Sequence, residues 1–424
     1  MLAVLHHRNM FMLWLGQFVS LAGDWLLIVA LPFYVFQLTG SILQTGGMLM
    51  AEMLPRVLLG SIAGVFVDRW DRRWTMIVSD LIRAGVLLLL LLVHTRNLLW
   101  LIYVVAVIQS SVSQFFMPAV SAIIPSLVGE QELVAANSLN SFNDAVTRFI
   151  GPPLGGILLA AFGLTGVVIG DSASFLFSAL TILLISVSAR VTQGEATTMP
   201  VMTKVVLIWS EWLDGLRLVT KNKIITGIFL SSAIFMLGQG FMNVLLVIFV
   251  KEVMHRDAIV YGWLITSQGV GSLLGALLVG YVSKVVRPVY LLGPPYLLAG
   301  IAVLILVNYP ILGLAIALIA IVGVFIVGLF VVEQTLLQQS VADNYRGRIF
   351  GTFNTSIAFM MLIGMALAST LGAGVGVVPL LEIAGGCLFV AGLVALVLLR
   401  AAKLSQLQSV SPSENVPDPS LEGV

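Results

Sequence analysis

Ionisable residues stand inside long apolar runs of this chain, and they are the side chains with chemistry to offer. A charge near the middle of a bilayer costs about 2.5 to 3.5 kcal/mol unless it is paired or hydrated, so each must find a counter-charge, reach water or carry a proton. Glu52 and Arg56 lie four residues apart on one face of a helix, a spacing that brings opposite charges together; a mutually neutralised couple is the plain reading. Asp144 and Arg148 repeat that spacing. Burial of Arg148 demands a partner, with Asp144 the local candidate and Glu52 the distant one. Asp24 differs, because no basic residue lies between Arg8 and Arg56. It falls about 21 Å into a helix that starts near Met10, at 1.5 Å per residue, and nothing on that helix can neutralise it. A carboxyl so placed can take up and release a proton. Glu333 is the second candidate for that chemistry, nearer an edge where hydration would explain it, and Glu52 is the third. The plain alternative for Asp24 is a hydrogen bond to a neighbouring helix. Asp80 and Arg83, three residues apart, read as structural.

Other chemistries have no visible home. Nothing resembles a catalytic nucleophile with its base, and no phosphate-binding loop of the GxxxxGK[ST] type occurs, so neither an enzyme nor an ATP-driven pump is expected. Cys387 is the only cysteine, which excludes an internal disulfide and a thiolate metal site. His6, His7, His94 and His255 stand near the ends of apolar runs without clustering. No metal and no cofactor is expected. The net charge of +1 is spread over many loops, which points away from nucleic acid.

The elements that must position these residues follow from composition. Of 424 residues, 59% are hydrophobic and 10% charged, against about 25% charged in a soluble globule; the mean hydropathy is +1.08. Each span needs about 20 apolar residues, and such runs recur throughout. An all-α integral membrane protein follows, since an outer-membrane barrel would show short alternating segments. Twelve transmembrane helices are predicted in two six-helix halves, residues 1–189 and 224–400. Between them, residues 190–223 form a linker with an amphipathic helix over Trp209 to Lys221, and residues 401–424 form a disordered tail. The first apolar run is too long for a signal peptide, so it reads as a retained first helix. Loops rich in Lys and Arg, among them Arg69, Arg72, Arg73, Lys284, Arg346 and Arg348, alternate with poor ones, which puts both termini in the cytoplasm.

Two motifs carry a resemblance. In Gly64-Val-Phe-Val-Asp68-Arg69-Trp-Asp71-Arg72-Arg73 every residue from 68 to 73 except Trp70 is charged, between two apolar helices. This stretch resembles the signature loop between the second and third helices of the major facilitator superfamily, with Asp71 where that family usually has glycine, as in its drug-exporter relatives. The resemblance implies that Asp68 latches the two halves by meeting the amino end of helix eleven, near Gly347 to Gly351, where a helix dipole favours an anion. The bland alternative is a topology signal alone. Lys284 to Pro288, after Leu273-Leu274-Gly275, echoes the loop and its Leu58-Leu59-Gly60 approach without the acid, which supports an internal repeat. In helix five, Gly151-Pro152-Pro153-Leu-Gly155-Gly156 resembles the antiporter signature of exporting members, with Thr147 where a further glycine is expected. Small residues allow close helix approach and prolines remove backbone donors, so this helix suits a gate; an ordinary kinked membrane helix is the alternative. Helix four lacks the arginine that many proton-coupled exporters carry there.

The resemblance covers nearly the whole chain. It implies a major facilitator fold with helices one, four, seven and ten around a central cavity, working by alternating access. Together with Gly23-Asp24 and Thr39-Gly40-Ser41 it is similar to the macrolide, multidrug and siderophore exporter branch. The expectation is therefore a proton-coupled exporter of an amphiphilic small molecule, with Asp24 the principal proton-coupling carboxylate, acting as a monomer in a bacterial-type inner membrane. Its partners would be that small molecule, protons and the lipid bilayer. A lipid or lysophospholipid translocator, an uptake permease and a non-transporting sensor are the rival readings. Trp14, Trp25, Phe115, Phe116, Met117, Phe235 and Met236 are candidates to meet an amphiphile, with lipid contact the alternative for each.

Overall fold

Long apolar runs broken by short Gly, Ser, Asp and Asn punctuation give helices with defined ends. In the computed structural model, which describes residues 2–186, 217, 219–220, 222–286, 288–341 and 343–409, these are α1 (Arg8–Thr39), α2 (Ile42–Val67), α3 (Arg72–Leu87) and α4 (Leu99–Leu127). A continuous run over Leu133–Leu183 is divided at Gly163, whose φ of 64° and ψ of −167° are non-helical. Its limbs, residues 133–162 and 164–183, are α5 and α6. They fold back on each other, since Asn143 bonds the Trp14 carbonyl while Gly16 abuts Thr181, placing both free ends beside the start of α1. Then come α7 (Lys223–Ile248), α8 (Ala258–Val282), α9 (Gly293–Asn308), α10 (Leu312–Ser340), α11 (Asp343–Val375) and α12 (Val377–Ser409). The architecture is an all-α integral membrane fold.

The turn chemistry is local. Gly40 ends α1 in the left-handed region, φ 63°, with its N–H on the Phe36 carbonyl, and the Ser41 hydroxyl accepts from the Gln44 N–H at 3.3 Å to start α2. Asn222 caps α7 and Asp257 caps α8, each a side-chain oxygen meeting a backbone donor that the helix leaves unpaired. α12 runs to Ser409, into the segment expected as tail; Ala401, Ala402, Leu404 and Leu407 are good helix formers, and the first breaker is Pro412. Except for residues 217, 219 and 220, the expected linker helix lies outside the described residues, as do residues 410–424.

The two halves repeat one packing plan. α1 packs on α5 and α6 as α7 packs on α11 and α12, α2 on α4 as α8 on α10, and α3 on α6 as α9 on α12. The halves meet through α2 against α11 and α5 against α8, pairs that the repeat relates. Their close contacts lie at the end bearing the α1–α2 turn: Gly46 on Ser369, Gly372 on Ile42 and Gly156 on Ala258. At the end bearing the Asp68 loop, a side chain added at Gly64, Gly280, Gly347 or Gly351 would meet no atom within 4 Å beyond its own helix and chain neighbours. The bundle is thus closed at one end and splayed at the other.

Candidate functional site

Splaying leaves a chamber of about 550 Å³ between the halves, walled by Asp24, Glu52, Arg56, Arg83, Gln109, Ser113, Asp144, Arg148, Ser272 and Val327 among others. Cavities of about 630 Å³ and about 450 Å³ share its walls. Space of this size holds a drug-sized molecule. The expected lining by α1, α4, α7 and α10 is present, and α2, α5, α8 and α11 contribute as well. Of the candidate aromatics and methionines, Trp25, Phe116, Met117, Phe235 and Met236 line cavities. Trp14 stacks instead on Phe18 at 5.8 Å and Phe115 on Trp70 at 5.7 Å.

Asp24 has a partner that its own helix could not supply. Arg83 of α3 donates to its carboxylate, and also to Gln109 Oε1 at 3.1 Å, while Gln109 Nε2 donates back to the Arg83 carbonyl at 2.9 Å. The guanidinium lies 3.9 Å from the Phe175 ring centroid, in cation–π range. Arg83 is therefore a site residue, not the structural partner of Asp80 that the spacing suggested. α4 carries no arginine, and α3 brings one to it at Gln109. Behind the pair, Asp80 and Asp171 are both fully buried. The Ser178 hydroxyl is the polar group beside Asp80; one Asp171 oxygen has no hydrogen-bond partner among the described residues, and the other accepts from Ser174 at 3.1 Å. Asp24, Asp80 and Asp171 thus lie in the field of one guanidinium.

Glu52 and Arg56 form the expected local couple at 3.1 Å, on the cavity wall. The pairing expected of Arg148 does not form. Arg148 bonds neither Asp144 nor Glu52; its guanidinium lies over the Trp25 ring at 5.4 Å, and its stem rests on Gly269 of α8. Both α5 side chains are exposed to the cavity, so solvent meets the demand that burial would have made of a partner. Glu333 departs further from its expectation. It is 5% exposed, inside the second half rather than at a hydrated edge, and accepts from Ser232 at 2.7 Å and from the fully buried Tyr296. It lines none of the three central cavities.

The two motifs acquire definite contacts. Asp71 caps α3, accepting from the Trp74 N–H at 2.9 Å. Arg72 donates to the Ala122 carbonyl in α4 at 2.9 Å, and Arg73 to the Ile182 and Leu183 carbonyls that end α6, where cations complement the helix terminus. Asp68 and Arg69 are exposed, and the Asp68 side chain makes no hydrogen bond or ion pair with a described residue. In α5, Gly151 abuts Trp25, Gly155 the Leu26 backbone and Gly156 the Ala258 carbonyl, so the motif packs α5 on α1 and on α8 of the other half. Pro153 cannot donate to the Phe149 carbonyl four residues earlier, and the Thr266 hydroxyl of α8 donates to it at 3.2 Å. Sequence reasoning missed Thr266 and Arg83; the proline at 153 signals that an acceptor is left over, without saying what fills it.

The transmembrane secretion effector family matches residues 1–424. The MFS-type transporter YfiS of Bacillus subtilis is 28% identical over 420 residues, 92% of this chain and 93% of that protein. Macrolide efflux protein A of Streptococcus pyogenes is 23% identical over 369 residues, 86% and 89% respectively. A crystal structure of a bacterial homologue of the iron transporter ferroportin, in its inward-facing state, superposes with a TM-score of 0.74 at 16% identity over 92% of this chain and 98% of that one, a likeness of fold. With its whole length matched and its fold in agreement, the chain belongs to the transmembrane secretion effector family of major facilitator transporters and is a multi-pass membrane protein.

Proposed function

We propose that the protein is a proton-coupled secondary transporter that exports an amphiphilic small molecule by alternating access, with both termini and the splayed end at the cytoplasm of a bacterial inner membrane. The observation that carries the reading is an acid–base pair, Asp24 with Arg83, on the wall of a chamber of about 550 Å³ in a bundle closed at one end and splayed at the other. The efflux protein among its relatives supports the direction. In this scheme a proton arriving at Asp24 loosens its bond to Arg83, whose charge then falls to Asp80 and Asp171; cargo and proton compete for the pair. Rocking of the halves would use the α5–α8 crossing, where backbones approach at Gly156 and Gly262.

The test is accumulation of amphiphiles, erythromycin among them, in everted membrane vesicles whose lumen is made acidic. Accumulation should collapse with the pH gradient, and Asp24→Asn should lose pH-driven transport while retaining substrate binding. Undiminished proton-driven transport by that variant would move the role to Glu333 or Glu52. Accumulation indifferent to the gradient would sink the coupling.

A further inference from the structure

Of the three arginines facing the central chamber, Arg56 is bonded to Glu52 and Arg83 to Asp24 and Gln109. Arg148 has no hydrogen bond or ion pair with any described residue. It is nevertheless held in place. Its Cγ and Cδ lie 3.2 and 3.4 Å from where a Cβ on Gly269 would stand, so the stem fills a notch that only glycine leaves in α8. Its guanidinium lies over the ring of Trp25 on α1, and Trp25 is itself packed against Gly151. Three helices from both halves thus fix one cationic fork at the wall shared by the chambers of about 550 and about 450 Å³.

A guanidinium seated on an aromatic face keeps its N–H edge free, and that planar fork matches an oxyanion with two parallel hydrogen bonds. None of the acids around it is bonded to it, although Asp144 is near enough to feel its charge. Glu52 is taken by Arg56 and Asp24 by Arg83, and Asp144, one turn earlier on α5, makes no ion pair with Arg148 because the side chain runs to Trp25 and Gly269 instead. Leu21, Ile28, Leu31, Ala276 and Val327 supply apolar walls. We propose that Arg148, backed by Trp25, is an oxyanion-binding subsite, and that the amphiphile admitted to this chamber carries a carboxylate, phosphate or sulfonate that docks there. This rests on the transporter reading only in treating the occupant as cargo.

Equilibrium binding tests it without transport. The protein in phosphatidylcholine nanodiscs is titrated with the anionic fluorophore 1-anilinonaphthalene-8-sulfonate and with uncharged N-phenyl-1-naphthylamine, which lacks the sulfonate. Arg148→Gln should weaken the sulfonate probe about tenfold or more, the loss expected for a charge-assisted bond, and change the neutral probe less than twofold. Arg148→Lys, which keeps the charge without the fork, should fall between and serves where the glutamine variant does not fold. Parallel changes for both probes, no change for either, or a wild type that binds the neutral probe and not the sulfonate would each overturn the proposal. Adding phosphatidylglycerol to the nanodiscs identifies the source: displacement of the sulfonate probe from wild type means a lipid headgroup supplies the oxyanion, and none means a free amphiphile does. Failure of pH-driven accumulation in vesicles, with the probe difference intact, would overturn the exporter reading and leave the subsite standing.

Discussion

Arg83 meets Asp24, Gln109 and the face of Phe175 at once, and the buried Asp80 and Asp171 lie behind it, Asp171 with one oxygen that no described residue satisfies. Removing the cation strands several acids in the core of the first half, whereas Asp24→Asn keeps a polar partner for Arg83 at the cavity wall. Arg83→Gln should therefore lower stability by about 3 to 5 kcal/mol, the scale for stranding buried charge, and Asp24→Asn by clearly less. Thermal unfolding in detergent compares them; a larger loss for Asp24→Asn would mean that the bond to Asp24 outweighs the ring contact and Gln109 in holding this cluster. Asp71→Ala should cost about 1 kcal/mol, as loss of an N-cap does, and an unchanged melting curve would deny the cap that role. The depth of Asp24 was legible because a helix's rise converts residue number into position. Its partner was not, since Arg83 lies 59 residues away on another helix and spacing along one helix ranks only local pairs. For the same reason Arg148 was given Asp144 as a neighbour, when its side chain runs across to α1 and α8.

α5 is the element on which both halves depend, and its proline pair shows why. The Phe149 carbonyl loses its helical donor to Pro153, and Thr266 of α8 replaces that donor from the other half, while Gly156 lets the Ala258 carbonyl sit where a side chain would otherwise stand. A bond made across the crossing only while the halves are seated as here contributes to this arrangement in particular. Thr266→Val should weaken it by about 1 kcal/mol, the net worth of one hydrogen bond, and Gly156→Leu should prevent the helices from seating at all. Both should raise labelling of a cysteine introduced beside the α7–α8 turn, the glycine variant more, while the protein still inserts. Equal protection in all three proteins would show that the closed end is held elsewhere, for instance by α2 on α11. Helix existence and the kink-prone prolines were legible, because apolar length and Pro act locally. The α5–α8 contact was not, since it depends on which glycines of two distant helices face one another.

At the scale of the molecule, the repeat relates the two contacts between halves, α2 on α11 and α5 on α8, and both close at the same end. The fold class was legible, because twelve apolar runs with a degenerate echo of one loop allow few other arrangements. The arrangement's opening was not, since it depends on relative stabilities of two packings and not on any local pattern. Asp68 takes its meaning from that opening. It is exposed, and Gly347 and Gly351, where its partner helix end was expected, have no neighbours within 4 Å of a would-be side chain. A latch between Asp68 and the amino end of α11 would exist only when the splayed end closes, so Asp68→Asn should leave this arrangement intact and disfavour the other. A carboxylate at a helix amino end contributes about 0.3 to 2 kcal/mol, and its loss should shift the balance toward the splayed form by up to about thirtyfold. Spin labels at Leu58 of α2 and Leu277 of α8, both exposed and in opposite halves, would report longer distances more often in the variant, and transport should fall with the closed population. An unchanged distance distribution alongside normal transport would leave the loop with a topological role only, its Arg72 and Arg73 holding α4 and α6 together within one half.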